Sequence, residues 1–589
     1  MKRRLVSFLL CIAMIFTGIL ATGCAGEGDD SLTTETGEDS GSALVRSGMT
    51  LTLWVPTESE MNEETEEALE LVEEAINKIT QSEFDTAIKI YAIPTDEYEE
   101  AVKKQMADIT ARVEAEEEAA AARRKAEREA AKNGETLPAT EKTEIEEIEN
   151  PYDLIVNSGA SYPQVENNQM DIFLVRGYED YQYYVKENLL MPLDEEINGT
   201  SKILKSYIYP SFFEAAKIDG ITYAVPNNHA LGEYKYLVVN KALADKYGKS
   251  QEDLANILYC ENYINTVAAN DEGVTPIWGE ITPTYMQYWS GQDSDTFSVL
   301  SSYVTPSDTS TTQKKMEALN AVEFNNVFDI SNFTDSIYYQ KLYTEKGYIS
   351  NAENVDNFAF AIVTATPEEI AAKYGENGED YYINVYENPK GTIDDYCASM
   401  FAISKYTKDT ARAMEIITYL NTETDMRTIL QYGVENEHWK YDEADDSIIV
   451  QLSDVYKMNI LDTGNIYMTY PNYGEPMDWS SEKTQNIASY YPVTYYMTNY
   501  VHESNQELIT ALDAFNVQIL KEVEGMTASE FKSNLSLLRK KVNDNPDFNK
   551  LAYIPSSSDK SNNRTEENGY FADNSIAYMW TEVLETLAG

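Results

Sequence analysis

Short apolar strands alternating with amphipathic helices restrict the fold of this chain more than any other feature. Met49 to Pro56 is an alternating apolar run that stops at a proline, and Glu63 to Ile79 follows with apolar residues at helical spacing. Ala87 to Ile93 reads as a second strand with a helix behind it. Tyr152 to Val156 and Ile172 to Val175 read as two more, the last running into a helix from near Gly177. Strands separated by helices need crossover connections, and these cover the faces of a parallel sheet. An α/β fold is therefore expected. Beyond residue 48 the chain runs for roughly 540 residues, more than one hydrophobic core usually supports, so two or more lobes are expected.

One segment departs from that rhythm. From Asp96, a good N-cap, to Asn133 and Gly134, a good helix stop, the chain is dominated by Ala, Glu, Lys and Arg. As a helix it would be about 55 Å long at 1.5 Å per residue. Its centre, Glu114 to Lys132, has almost no large apolar side chains and no sustained heptad, so it reads as a solvated protrusion carried by helix propensity and opposite-charge pairs. Thr136 to Asn150 reads as its return loop, making 96–150 a helical insertion.

At the N-terminus, Lys2, Arg3 and Arg4 precede an apolar run from Leu5 to Leu20, shorter than the ~20 residues that cross a bilayer comfortably and without a stop-transfer pattern behind it. This is an export signal, spanning residues 1–23. Its end, Leu20-Ala21-Thr22-Gly23-Cys24, resembles a lipobox, although Ala21 stands where Leu or Val is commoner. The resemblance implies that Cys24 is lipidated and becomes the first mature residue, anchoring the protein to the extracellular face of the cell membrane; two acyl chains hold stably where one does not. Residues 24–48, rich in Gly, Ser, Thr, Asp and Glu, read as a flexible tether. A net charge of -55 speaks against nucleic acid or anionic lipid surfaces as partners. Apart from Cys11 in the signal and Cys24, the cysteines are Cys260 and Cys397, for which a disulfide and two buried free thiols both stay open.

Five stretches, in order, resemble extracellular solute-binding proteins of ABC importers, in the branch that mostly binds oligosaccharides. They are Gln169-Met170-Asp171-Ile172-Phe173; Glu187 to Leu193 with its Leu-Met-Pro-Leu turn; Asp219-Gly220-Ile221-Thr222-Tyr223-Ala224-Val225-Pro226 with Tyr236 to Lys241; Ala402 to Lys405 with Ala411 to Glu415; and Tyr432-Gly433-Val434-Glu435-Asn436-Glu437-His438-Trp439, where Asn436 replaces a usual glycine. The long charged helix lies outside the family's pattern. The resemblance implies a two-lobed, periplasmic-binding-protein-like fold of type II with a hinge, an oligosaccharide ligand, and ABC permease subunits as partners. On this reading 49–240 is mainly the first lobe, 241–395 mainly the second, and 396–589 holds returning segments and C-terminal helices shared between them.

Sugars present hydroxyls at their edges and C–H faces above and below, so a site needs aromatic surfaces and short hydrogen-bonding side chains. With 44 Tyr and 6 Trp in the chain, most rings must be structural. The candidates are those at strand ends and in interlobe loops. Trp54 ends the first strand, with Glu58 just after it. Asn227, Asn228, Glu233 and Tyr234 follow the Asp-Gly-x-x-Tyr-x-x-Pro hairpin, where the family turns toward the cleft. Trp289 and Trp439 are candidate stacking platforms, solvated until the lobes close, while His438 braces its own turn. Tyr473 and Glu475 lie in the polar-aromatic loop Tyr470 to Pro476.

Enzyme readings find less support. His229, His438 and His502 are far apart and lack ligand spacing, and no Walker loop or dinucleotide fingerprint is present, so no catalytic residue, metal or cofactor is assigned. A surface glycoside hydrolase and an adhesive lipoprotein are the alternatives.

Overall fold

β1 (Met49–Thr57) gives way to a helix, Glu63–Phe84, because the Asn62 side chain accepts from the amides of Glu64 and Thr65 and an acidic first turn complements the helix dipole. Asp85, in the left-handed region at φ 50°, turns the chain back into β2 (Thr86–Pro94), which pairs parallel with β1 along its whole length. β3 (Ile172–Val175), β4 (Ala224–Pro226) and, much later in the chain, β10 (Met400–Ile403) complete a five-stranded sheet in the order β2-β1-β3-β10-β4. The computed structural model describes residues 47–133, 162–290, 296–304, 317, 320–489, 503–553, 558, 560–570 and 575–588. The export signal, Cys24, the tether up to residue 46, the strand expected at 152–156 and the return loop to 150 lie outside the described residues. Gly48–Gly589 clusters as one unit, apart from Met1–Ser47, and holds both lobes.

The second lobe is built on β5 (Tyr234–Asn240), β6 (Thr275–Trp278), β7 (Ile349–Ser350), β8 (Phe358–Ala365) and β9 (Tyr381–Glu387), in the order β7-β6-β8-β5-β9. Two corrections follow. Tyr234–Asn240, read from sequence as the end of the first lobe, pairs with β8 and β9 and belongs to the second. Both sheets are mixed rather than parallel: β10 runs antiparallel to β3 and β4 because it returns from the other lobe and enters the sheet from the opposite direction. The two-lobed α/β architecture expected from the resemblance is the one observed.

A single apolar cluster fills the first lobe, from Leu51 to Met458, whereas the second lobe has one cluster on each face of its sheet and a further one with the C-terminal helices. The helix Tyr98–Asn133 spans both regimes. Val102, Met106 and Ile109 are buried in the first-lobe core, and the Tyr98 hydroxyl accepts from the Leu174 amide at 2.8 Å and sits 3.0 Å from the Trp54 carbonyl, bridging β1 and β3. From Glu114 to Arg128 every described side chain is exposed, as the composition requires. Cys260 and Cys397 are free thiols buried in the cores of different lobes. No helix among the described residues is long and apolar enough to cross a membrane.

Candidate functional site

Strand direction decides which residues meet. β1, β3 and β4 run one way and β10 the other, so Glu58, Arg176 and Asn227, which follow the first three, share one sheet edge with Ser399, which precedes the fourth. The same logic places Gly279 after β6, Asn388 after β9 and Glu233 before β5 on one edge of the second sheet. Two segments, 227–233 and 388–399, cross between these edges. They touch at Gly232, φ 58°, where a Cβ would sit 2.6 Å from the Lys390 carbonyl. A third element ties them: on the helix Ser480–Ala488, Asn486 accepts from the Leu231 amide at 2.8 Å and donates to the His229 carbonyl at 2.7 Å. Ligands of open α/β sheets bind outside the carboxyl ends of the strands, which is where both crossings lie.

At the first edge, Arg176 reaches two carboxylates. Its Nη1 is 3.3 Å from Glu99 Oε1, without the alignment of a hydrogen bond, and its Nε is 3.9 Å from Asp462 Oδ2. Burial pushes the Asp462 carboxyl up to about 6; Arg176 and a hydrogen bond with Ser399 oppose the shift, and Glu58 and Glu99 add to it. The Asn227 amide donates to Ser399 Oγ at 3.0 Å and to the Leu461 carbonyl at 2.8 Å, and Asn228 donates to the Tyr207 carbonyl at 2.7 Å. Asn227 Oδ1 and Asn228 Oδ1 are buried acceptors without a hydrogen-bond partner among the described residues.

Asp462 sits on a turn, Ile460–Thr463, that is held from beneath. Arg427 is fully buried and donates through Nη2 to the Ile460 carbonyl at 2.7 Å and through Nη1 to Gln431 Oε1 at 3.2 Å. Gln431 in turn donates to the Met458 carbonyl at 2.7 Å and accepts from the Thr463 hydroxyl at 2.5 Å. Burial lowers the Arg427 guanidinium to about 9, still above neutral pH. Gly464, φ 119°, allows the close approach, since a Cβ there would lie 2.7 Å from the Leu420 carbonyl.

Of the residues singled out from sequence, Glu58, Asn227 and Asn228 come together at this edge. Glu58 is exposed and accepts from Asn459 at 3.2 Å. With Tyr473 it lines a cavity of about 270 Å³. Glu475, in the same loop as Tyr473, is exposed and does not line the cavity, and Glu233 is exposed just before β5. Tyr234 is buried on a face of the second sheet, packed on Tyr236.

The three tryptophans are a correction. Trp54 is stacked on Tyr91 at 4.4 Å in the first-lobe core. Trp289 is 5% exposed, donates to Ser302 Oγ and packs edge-on against Phe324. Trp439 is equally buried and donates to the Gly433 carbonyl. None is a solvated platform: Trp54 and Trp289 lie in large apolar clusters drawn from distant parts of the chain, and Trp439 is covered by Tyr432, Ile449, Tyr470 and Tyr473 nearby. His438 does brace its turn, accepting from the Val434 amide at 2.9 Å. Sequence reading missed Arg176, Glu99, Ser399 and Asp462. Arg176 was within reach as the residue after β3; Asp462 and Glu99 carry no local signal. Among the described residues no group of His, Cys, Asp and Glu could hold a metal ion.

No family model matches the chain, and no curated protein does. Its structure is similar to the N-glycan transport solute binding protein NgtS of Streptococcus pneumoniae, with 14% identity over 91% of this chain and 99% of that one and a TM-score of 0.49. It is also similar to the sugar-binding protein MalE of Xanthomonas citri, at 11% identity, covering 84% and 98% with a TM-score of 0.36. A family 1 extracellular solute-binding protein of Alicyclobacillus acidocaldarius aligns at 12% identity over 84% and 99%, with a TM-score of 0.37. The two-lobed fold with its crossing segments stands on the strand order of the chain itself.

Proposed function

We propose that this chain is an extracellular, lipid-anchored substrate-binding protein that captures an oligosaccharide and hands it to the permease subunits of an ABC importer. The observation that carries this reading is the pair of strand-end edges joined by two crossing segments, with Arg176, Asp462, Asn227, Asn228 and Ser399 gathered at one of them. A sugar hydroxyl both donates and accepts, and this edge offers a guanidinium, a carboxyl and two amide oxygens with unused acceptor capacity. A ligand bonded to both edges favours the closed arrangement and shifts the population toward it, so a permease can tell loaded from empty protein by shape.

The test is a thermal-shift screen of mono- and oligosaccharides followed by calorimetric titration, with chromatography of the incubated sugar. Man1GlcNAc and Man5GlcNAc, bound in structures of the S. pneumoniae protein, and maltose, bound in one from Staphylococcus aureus, belong in the panel. Stabilisation without turnover is expected. One observation favours a glycoside hydrolase as second reading: a carboxyl raised to about 6 is what a general acid needs. Appearance of hydrolysis products would establish it, and neither binding nor turnover would leave adhesion. The anchor is tested separately: Cys24→Ala should release folded protein into the medium, and full retention on the membrane would refute lipidation there.

A further inference from the structure

We infer that the cavity beside Glu58 is a built subsite for a single sugar ring, taking a branch or end unit of an oligosaccharide whose neighbouring unit lies on the Arg176 edge. The inference rests on the carbohydrate reading above and adds a minimum ligand length to it. The cavity, at about 270 Å³, falls just below the roughly 300–1,000 Å³ of pockets that enclose drug-sized ligands, which leaves room for one ring and not for a whole oligosaccharide. Its lining includes three tyrosines, four amide residues and the apolar Met458, Ile460 and Pro471, with one acidic residue, Glu58, and one basic residue, Lys457, a set of no net charge suited to an uncharged polyol.

Two of the three tyrosines, Tyr432 and Tyr456, are buried with their hydroxyls engaged. Tyr432 donates to the Tyr470 carbonyl at 2.8 Å and Tyr456 to the Leu430 carbonyl at 2.6 Å, so both are satisfied internally. Tyr473, half-buried, packs edge-on against Tyr432 with centroids 5.0 Å apart and is the most exposed of the three. Around it, Gln451 and Asn472 are exposed and supply amide groups to a ring's edge.

The wall is rigid and continuous with the first edge. Lys457 accepts from the Glu58 amide at 3.0 Å through its carbonyl, Asn459 holds the Glu58 carboxylate, and Gln431 and the buried Arg427 fix the chain from Met458 to Ile460. The next turn carries Asp462. A group already held in place loses little freedom on binding, so its contacts count toward affinity. Glu58 lines the cavity and follows β1 at the sheet edge that also carries Arg176 after β3, and on this inference the next unit of the ligand lies along that edge.

The experiment compares a short and a long probe, Man1GlcNAc with Man5GlcNAc and maltose with maltohexaose, on the full mature chain by calorimetry. Tyr473→Ala should weaken the longer probe on the order of tenfold, as loss of an aromatic anchor does, and leave the shorter one within twofold. Gln451→Ala should act in the same direction with smaller effect, and Tyr473→Phe, which keeps the ring, should bind as wild type. Arg176→Met should weaken both lengths. Equal affinity of wild type and Tyr473→Ala for the longer probe, with both proteins folded, would overturn the subsite. If no sugar in the panel binds wild type, the carbohydrate reading itself fails.

Discussion

The two sheet edges that the crossing segments join are alike in construction and different in what they leave open. At the second edge the buried carboxylate is satisfied: Glu387 pairs with Lys235 at 3.0 Å and accepts from the Tyr285 amide at 2.6 Å, and the Tyr285 hydroxyl accepts from the Asn388 amide at 3.2 Å. At the first edge Arg176 is divided between Glu99 and Asp462, neither at close hydrogen-bonding geometry, and two buried amide oxygens have no partner among the described residues. A polar group left unpaired in a buried place is costly unless something binds it, so the first edge reads as receptive and the second as framework.

The largest test of that contrast concerns the tryptophans. If the site is a strand edge and not an aromatic platform, Trp289→Ala should lose about 3–5 kcal/mol of stability, as large core truncations do, while the folded protein keeps its sugar affinity. Circular dichroism melts beside calorimetry decide it; an affinity loss without a melting change would move the site to Trp289.

A second test uses pH. The Asp462 carboxyl is raised from 3.8 to about 6 in the folded protein, so over that window the folded state binds the proton more tightly than the unfolded chain. Its stabilising contribution is fully present below about pH 4 and is lost as pH rises through 6, a fall of about 2–3 kcal/mol at 1.36 kcal/mol per pKa unit. Asp462→Asn should flatten that part of the profile. Urea unfolding at pH 4, 5.5 and 7 measures the difference, and parallel profiles for the two proteins would clear Asp462 of responsibility.

Exchanging one residue at each edge sharpens the contrast further. Arg176→Met should lower oligosaccharide affinity by tenfold or more, about 1.4 kcal/mol, whereas Glu387→Gln should change affinity less than twofold. Comparable losses from both would mean that the second edge also holds ligand.

The smallest effect is expected from the insertion. The variant replaces Glu114 to Asn133 and the return loop to 150 with a Gly-Ser linker, keeping the strand expected at 152–156 and Pro163, whose carbonyl accepts from the Thr50 hydroxyl at 2.5 Å. Stability and affinity should stay within about 1 kcal/mol, because the described part of that segment buries no apolar side chain. Unfolding of the shortened protein would show that the protrusion supports the first lobe.

Much of the fold is legible along the chain. β3 begins and ends where the apolar run Ile172 to Val175 does, and the helix after it starts at Tyr178, behind Gly177. The anomaly at Asn436 has a local reason: its φ is 68°, a left-handed position that asparagine tolerates better than most residues other than glycine. The candidate site was less legible. Glu58, Asn227 and Asn228 could be picked because a strand end is visible in sequence, and their partners could not.

What the sequence determined by itself is everything that depends on spacing over a few residues: the alternation of strand and helix, the charged helix from Tyr98, the apolar stripe that buries its first turns and the polar run that leaves the described rest in water. Only the tertiary structure decided which rings are core and which polar groups meet. Burial of Trp289 depends on Phe324 and on the C-terminal helices, and the ion pair of Arg176 with Asp462 joins residues nearly three hundred positions apart. Hydrophobic burial and Coulomb attraction act through space, and no local pattern encodes which distant segments the sheet order will bring to the same edge.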